Sequence, residues 1–598
     1  MLRTLALVAL PLLCTSGWTQ SAQPDVSAAQ AFQARLGRDW AYWMEQYPEV
    51  ATAVGYPGQD RRWTDYSPEA IEARTAYLNE SLESLGSIDP LMLDADDRLS
   101  YDLYRQLLES AVAGLTFHND ALPIRGVIPH NLRMPINQLE GVQQDVPRTL
   151  ALMPASSLRD YENLVARFEG VARLVDQTLA LLQVGLDEGM TPPRVALRDV
   201  PAQIEGLIAD EPLTSPLLEP LTRWPASIPE ADRARLTARA SAAYTDGIVP
   251  AFRRLHAFLT DTYLPQCRET IAPSALPSGA ALYAYNVAWH TTTELTPAEI
   301  HEIGLAEVER IRAEMHAVIA ETGFGGTFEE FVEILRTDPR FYYTTADDLL
   351  RGYRDIAKRA DPELAHLFGR LPQTPYGVIA VPDAIAPSQT TAYYQPGSLR
   401  AARAGYMQAN TYMLDARPMW EMEALTLHES VPGHHLQIAI AQELEGLPEF
   451  RRHSSYTAFV EGWGLYAELL GEEMGFYADP HSKFGQLTYQ MWRAVRLVVD
   501  TGMHTMGWTR DEAIDYFKAN TPKTEQDIIV EIDRYIVWPG QALGYKIGEL
   551  RIRELRRDAE QQLGSRFDVR GFHDLILGEG ALPLAVLETR VSAWVSSR

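Results

Sequence analysis

Cysteine is almost missing from this chain. Two residues, Cys14 and Cys267, serve 598 positions. If Cys14 leaves with a cleaved leader, Cys267 has no partner for an intramolecular disulfide. A disulfide framework is thereby excluded, and a large apolar core has to hold the fold together, which 46% hydrophobic residues can supply. Positive charge is also in deficit. Lys and Arg number 53 against 80 Asp and Glu, a net charge of −27. Such a balance argues against nucleic acid or an anionic membrane surface as partner. Long apolar runs are lacking too. The longest candidate, Leu5–Leu13, is too short to span a bilayer as a helix. No repeat of 20 to 50 residues and no low-complexity tract interrupts the chain.

The first residues fit a secretory signal peptide. Arg3 supplies a short positive region, Leu5–Leu13 the apolar stretch, and small and polar residues follow. Residues 1–22 are assigned to it, with cleavage near Ala22. This predicts an exported protein, periplasmic or secreted, with no transmembrane segment. Lipid anchoring at Cys14 is the alternative, although Leu13 is bulky where a lipoprotein site calls for a small residue. Beyond it the periodicity is helical almost throughout. Ala29–Glu45 carries Phe32, Leu36, Trp40, Trp43 and Met44 at helical spacing. Asp97–Leu115 and Leu158–Gly185 read as long amphipathic helices, and a further long helix is predicted from Glu230 to Leu264. Ser67-Pro68-Glu69 and Thr296-Pro297-Ala298-Glu299 mark helix starts, the second a capping box with Pro at the first helical position; Thr509–Glu512 repeats the capping signal. The Pro- and Ser-rich stretch Ile271–Ala281 divides residues 23–280, an N-terminal helical region, from residues 281–598. Between Tyr376 and Met413, β-branched and aromatic residues separated by Gly and Pro predict short strands.

The chemistry gathers in Leu425–Gln437, LTLHESVPGHHLQ. His428, Glu429, His434 and His435 fall within eight residues. Histidine is the commonest metal ligand, and a Glu beside a ligating His is the usual general base of a metallohydrolase. The ordinary pattern puts two His at i and i+4, but here that position is Pro432. On an unbroken helix, His434 would sit about 240° from His428, and His435 would share its face roughly 10 Å further along. Neither could share a metal with His428. Pro432 has no N–H to offer the His428 carbonyl, and Gly433 accepts unusual backbone angles. The pair predicts a bulge that brings a later His back to His428.

HESVPGHHLQ resembles the HExxPGHHxQ signature of a bacterial family known as domain of unknown function 885. That family in turn resembles gluzincin zinc peptidases such as thimet-type oligopeptidases and Taq-type carboxypeptidases. The resemblance aligns Gly433-His434-His435-Leu436 with the run that supplies the second ligand, which selects His434 and leaves His435 as the alternative. It implies a third ligand on a following helix. Glu461, 27 residues beyond His434 in the run AFVEGWGLYAE, has that spacing, and Phe459, Trp463 and Tyr466 give its helix one apolar side. Glu468, on the same face, is second choice. One Zn2+ per chain is expected. The resemblance also implies a small sheet beside the zinc helix whose edge strand holds peptide by backbone hydrogen bonds; Gly405–Met413 is the candidate, with Tyr406 and Asn410 facing substrate.

Later groups would complete the site. Arg493 and Arg496 are i, i+3 neighbours that could grip a peptide carboxylate, unless Asp500 and other helix carboxylates claim them. Tyr535, Tyr545 and His504 are candidates to stabilise an oxyanion. The fold class expected is mainly α, with two helical lobes around a deep groove and a small antiparallel sheet beside the zinc helix. The function expected is zinc-dependent hydrolysis of short peptides, with cleavage from the C-terminus as one mode, and Glu429 as base. A non-catalytic metal-binding protein, closed by His435 as fourth ligand, and a metal-dependent amidase on a non-peptide substrate are the alternatives.

Overall fold

The computed structural model describes residues 27–124, 129–383 and 385–598. The signal peptide expected over residues 1–22, with Cys14, lies outside the described residues. Helices dominate, as the periodicity requires. The first runs Ala28–Gln46 and buries Phe32, Leu36, Trp43 and Met44, with Ser27 and Gln30 closing a capping box. Thr296 and Glu299 form the expected reciprocal cap on the helix Pro297–Glu321, and Thr509 and Glu512 do the same for Arg510–Asn520.

One long element differs from expectation. Leu158–Gly185 is two helices, Leu158–Glu169 and Val171–Asp187, meeting at Gly170. Gly170 packs so closely on Trp63 that a side chain there would collide with the indole.

The apolar core follows its own divisions. Residues from Phe32 to Ile124 share one cluster with residues from Val308 to Val591. Residues from Ile136 to Cys267 build a second cluster of their own. A cavity of about 310 Å³ lies where the two meet, between Tyr47, Val50 and Leu122 on one side and Trp63, Val142 and Leu174 on the other.

The sheet corrects the expectation of an antiparallel arrangement. Three strands, β1 (Tyr376–Ala380), β2 (Ala392–Gln395) and β3 (Gly405–Ala409), lie in the order β1-β3-β2. β1 pairs with β3 in parallel and β2 pairs with β3 antiparallel, so the sheet is mixed. β3 is the middle strand. Both its edges are taken, and Gly405–Ala409 cannot offer a free edge to a peptide; β1 and β2 are the edge strands, and β2 lies against the motif helix.

Candidate metal centre

The motif helix, Met422–Glu429, is buried at every position except Glu423, polar Thr426, His428 and Glu429 included. It stops where Pro432 removes the next backbone donor. Ser430 still donates to Thr426 O (2.8 Å), and the chain turns through Val431, Pro432 and Gly433 before a second helix, His434–Glu443, begins. Gly433 lies against the end of the first helix, where any Cβ would overlap the carbonyl oxygens of Leu427 and His428. Trp463 clamps the turn by donating its indole N–H to Pro432 O (2.8 Å). The predicted bulge is thus present, and it folds His434 back beside His428, their ring centroids 4.6 Å apart and nearly perpendicular.

Glu461 comes from the helix Thr457–Leu470, whose Phe459, Trp463 and Tyr466 are buried as the pattern predicts. Its Oε2 lies 3.5 Å from His428 Nε2 and 3.3 Å from His434 Nε2, and one ligand atom from each of the three residues falls within 4.8 Å of the others. Tetrahedral zinc with bonds of ~2.0–2.1 Å holds neighbouring donor atoms ~3.4 Å apart. Glu461 Oε2 and His434 Nδ1 have no hydrogen-bond partner among the described residues. Gly464 lets the His428 ring lie flat on this helix, because a Cβ there would sit 2.6 Å from His428 Cε1.

Behind the cluster, Glu468 Oε1 accepts from His428 Nδ1 (2.9 Å). Glu468 is therefore an outer carboxylate, not a ligand, and it turns the Nε2 lone pair of His428 toward Glu461. Burial alone would depress the His428 pKa, but Glu461, Glu468 and Glu429 outweigh it and lift it to about 9. Burial works upward on Glu461 as well, yet the two histidines hold its carboxyl well below the usual range. The site draws positive charge, and its donor set of two imidazole nitrogens and one carboxylate suits Zn2+. Glu429, next to His428 and largely buried, is pushed up by desolvation and by Glu461, against the pull of His428 and His434. No side chain among the described residues hydrogen-bonds to it.

His435 is turned away. Tyr394 donates its hydroxyl proton to His435 Nδ1 (2.9 Å), the Thr374 carbonyl takes the other ring proton, and Tyr376 packs on the ring at 4.5 Å. Burial lowers its pKa to about 4, so it is a neutral structural histidine. No fourth protein ligand joins His428, His434 and Glu461 among the described residues.

Several expected site residues have other employment. Tyr535 is fully engaged: Trp492 Nε1 (3.0 Å) and Arg496 Nε (2.7 Å) donate to its hydroxyl, which donates to Glu531 Oε2 (2.7 Å). It has no proton left for an oxyanion. His504 is buried, gives Nε2–H to the Tyr535 carbonyl (3.0 Å) and packs on Tyr283, away from the ligands. Asn410 donates to the carbonyls of Ala386, Gln389 and Thr390 and pins the loop between β1 and β2; it does not face a substrate. Tyr406 is half-buried on the middle strand against Gly377. Arg496 Nη2 is bound to Glu531 (2.9 Å), and Arg493 lies between Tyr489 and Trp492 with Nη2 3.5 Å from Glu468 Oε1. Asp500 pairs with neither arginine. It accepts from the Tyr283 hydroxyl (2.6 Å) and from Gly540 N (3.2 Å), because the helix turns it toward those elements. Tyr545 accepts from Arg534 Nη2 (2.8 Å), leaving its own proton without an acceptor among the described residues. Arg534 and Glu531 were missed by sequence reasoning; their only signal was an i, i+3 charge pair beside Tyr535.

No helix of the described residues is long and apolar enough to cross a membrane. A search of curated proteins finds no match. Two solved structures share the fold, each described as a putative lipoprotein. The one from Colwellia psychrerythraea is 27% identical, covers 96% of this chain and 100% of its own, and superposes with a TM-score of 0.90. The one from Shewanella oneidensis, described as of unknown function, is 17% identical over 94% of this chain and 99% of its own, with a TM-score of 0.68. The chain, matched from residue 48 to residue 591, belongs to DUF885, a bacterial protein family of unknown function.

Proposed function

We propose that this protein is an exported zinc-dependent hydrolase of peptide bonds, related in chemistry to gluzincin peptidases. The observation that carries the reading is the convergence of His428 Nε2, His434 Nε2 and Glu461 Oε2 beside the free carboxylate of Glu429. Zinc held by those three atoms would act as a Lewis acid toward an amide carbonyl and lower the pKa of water to about 7. Glu429 takes the proton of the attacking water and passes it to the leaving amine. Tyr545, with its proton uncommitted, donates to the carbonyl oxygen as negative charge develops there. Glu468 holds His428 in its ligand tautomer.

A buried ligand set, with Glu461 at 18% side-chain exposure and His434 at 10%, favours short or extended peptides over folded proteins. Export is supported by the leader-like first residues and by the description of the two related structures as lipoproteins. The test is metal analysis of purified protein coupled to digestion of a peptide library, with Glu429→Gln as control. About one zinc per chain, with cleavage lost in the variant while metal is retained, is the expected result. A protein that holds zinc but cleaves no peptide would overturn the reading.

A further inference from the structure

Two guanidiniums share one carboxylate a short step from the ligand cluster. Arg496 Nη2 meets Glu531 Oε2 at 2.9 Å, and Arg534 Nη1 meets Glu531 Oε1 at 3.6 Å. No second carboxylate pairs with either arginine among the described residues. Arg496 and Glu531 are each 3% exposed and Arg534 15%. One positive charge is thus left uncompensated where desolvation is costly. Hydrogen-bonding capacity is unmet in the same place: Arg496 Nη1, Arg534 Nε and Gln541 Nε2 have no partner among the described residues, and Gln541 is 1% exposed. Gln541 Oε1 and the Tyr545 hydroxyl both accept from Arg534 Nη2, and the Arg496 guanidinium lies 4.2 Å from the centre of the Tyr545 ring, so the four side chains form one cluster.

Its position follows from two helix pairs. On the helix Pro480–Thr505, Arg496 is three residues from Arg493, roughly 4.5 Å along the axis. Arg493 touches Glu468, which touches His428. On the other side, the helix Leu543–Leu563 runs beside Thr457–Leu470 in the same direction. Gly544 meets Thr457 and Ala458, and Gly548 meets Ala458 and Gly462. At 100° per residue, Tyr545 and Glu461 then project from the same side of the pair.

We infer that Arg534, with Arg496 and Gln541, forms a subsite beside Tyr545 for the free carboxylate at a peptide's C-terminus. The inference rests on the peptidase reading and gives it a direction: hydrolysis close to C-termini. A carboxylate supplies the missing charge and accepts from a planar guanidinium in a bidentate manner that a neutral amide cannot match. Arg534, the most exposed of the charged groups, is the residue that meets it first. Arg493, expected from sequence to share this role, instead faces Glu468.

Binding of N-acetyl-dialanine and of its C-terminal amide, measured by calorimetry on the Glu429→Gln protein so that turnover does not intervene, tests the subsite. The free acid should bind about tenfold to a hundredfold more tightly, the range for hydrogen bonds to a charged group. Adding Arg534→Gln should erase the preference, and Arg534→Lys should leave part of it. Equal binding of acid and amide, no binding of the acid, or a preference that survives Arg534→Gln would each overturn the inference; the first comparison requires no change at Arg534. Cleavage by the wild-type protein is scored separately. A preference for the acid without any hydrolysis supports the subsite and removes the peptidase reading, whereas equal hydrolysis of acid and amide keeps the peptidase and removes the subsite.

Discussion

His434 and His435 are neighbours in sequence with opposite fates. One meets Glu461; the other is held by Tyr394, Tyr376 and the Thr374 carbonyl. His428→Ala and His434→Ala should each release the zinc, while His435→Ala should keep most of it, as read by elemental analysis after dialysis. Metal lost from His435→Ala but kept by His434→Ala would reverse the assignment. Glu468 makes a finer prediction. Replacing an outer carboxylate that orients a ligating histidine costs on the order of 10-fold to 100-fold in metal affinity. Glu468→Gln should therefore weaken zinc in a chelator competition without abolishing binding. An unchanged affinity would mean that the 2.9 Å contact does not orient the ring. That His428, His434 and Glu461 would gather was legible from the motif's chemistry and its Pro-Gly break, which are local, together with the family resemblance that selected His434 and Glu461. The employment of Tyr535, His504 and Asn410 was not, since their partners Arg496, the Tyr535 carbonyl and the Ala386 carbonyl lie on other segments.

Elements show the same boundary between local and distant information. The Pro432-Gly433 break, the caps at Thr296 and Thr509 and the apolar side of Thr457–Leu470 are written in a few adjacent residues, and each is present. Strand order is not written that way. β3 lies between β1 and β2 because residues 376 and 395 both find it across intervening loops, and that pairing fixes the parallel half of the sheet. The break at Gly170 depends on Trp63, about a hundred residues away in sequence. Close approach of helices is equally non-local, and it yields a test. A Cβ at Gly464 would lie 2.6 to 2.9 Å from three atoms of the His428 ring. Alanine is the better helix former by roughly 1 kcal/mol, so propensity alone predicts a more stable helix. The clash should prevail: Gly464→Ala is expected to retain helical circular dichroism but bind zinc at least tenfold more weakly, because the ring must swing off its ligand geometry. Wild-type zinc affinity in Gly464→Ala would show that the ring has room to move.

At the scale of the whole molecule, deeply buried titratable groups away from the metal set how stability answers to pH. His573 lies under Tyr466 and the Leu367 carbonyl, and burial drives its pKa down to about 3; His504 is lowered to about 4 for the same reason. Unfolded, each titrates near 6.5. As pH falls below that value the unfolded chain gains protons that the folded protein refuses, so stability is lost on acidification by about 1.4 kcal/mol per pH unit for each histidine. Asp500 acts in the opposite sense. Burial lifts its pKa to about 7 against the hydrogen bonds from Tyr283 and Gly540, so between the ordinary aspartate value and 7 the folded protein keeps a proton that the unfolded chain releases. Its contribution is therefore lost as pH rises through that window. Two variants separate the effects. Asp500→Asn keeps an oxygen for Tyr283 and Gly540 and should gain on the wild type by roughly 1.4 kcal/mol per unit from pH 5 to pH 7. His573→Asn, which preserves a donor for Leu367, should gain on the wild type as pH falls from 6.5 to 5 by a similar slope. Urea unfolding free energies at pH 5, 6 and 7 measure both differences, and taking each variant against the wild type removes any shared effect of metal loss. If the two differences run in the same direction, the buried charges do not govern this pH response, and the folded protein must admit water or counter-ions to Asp500 or His573.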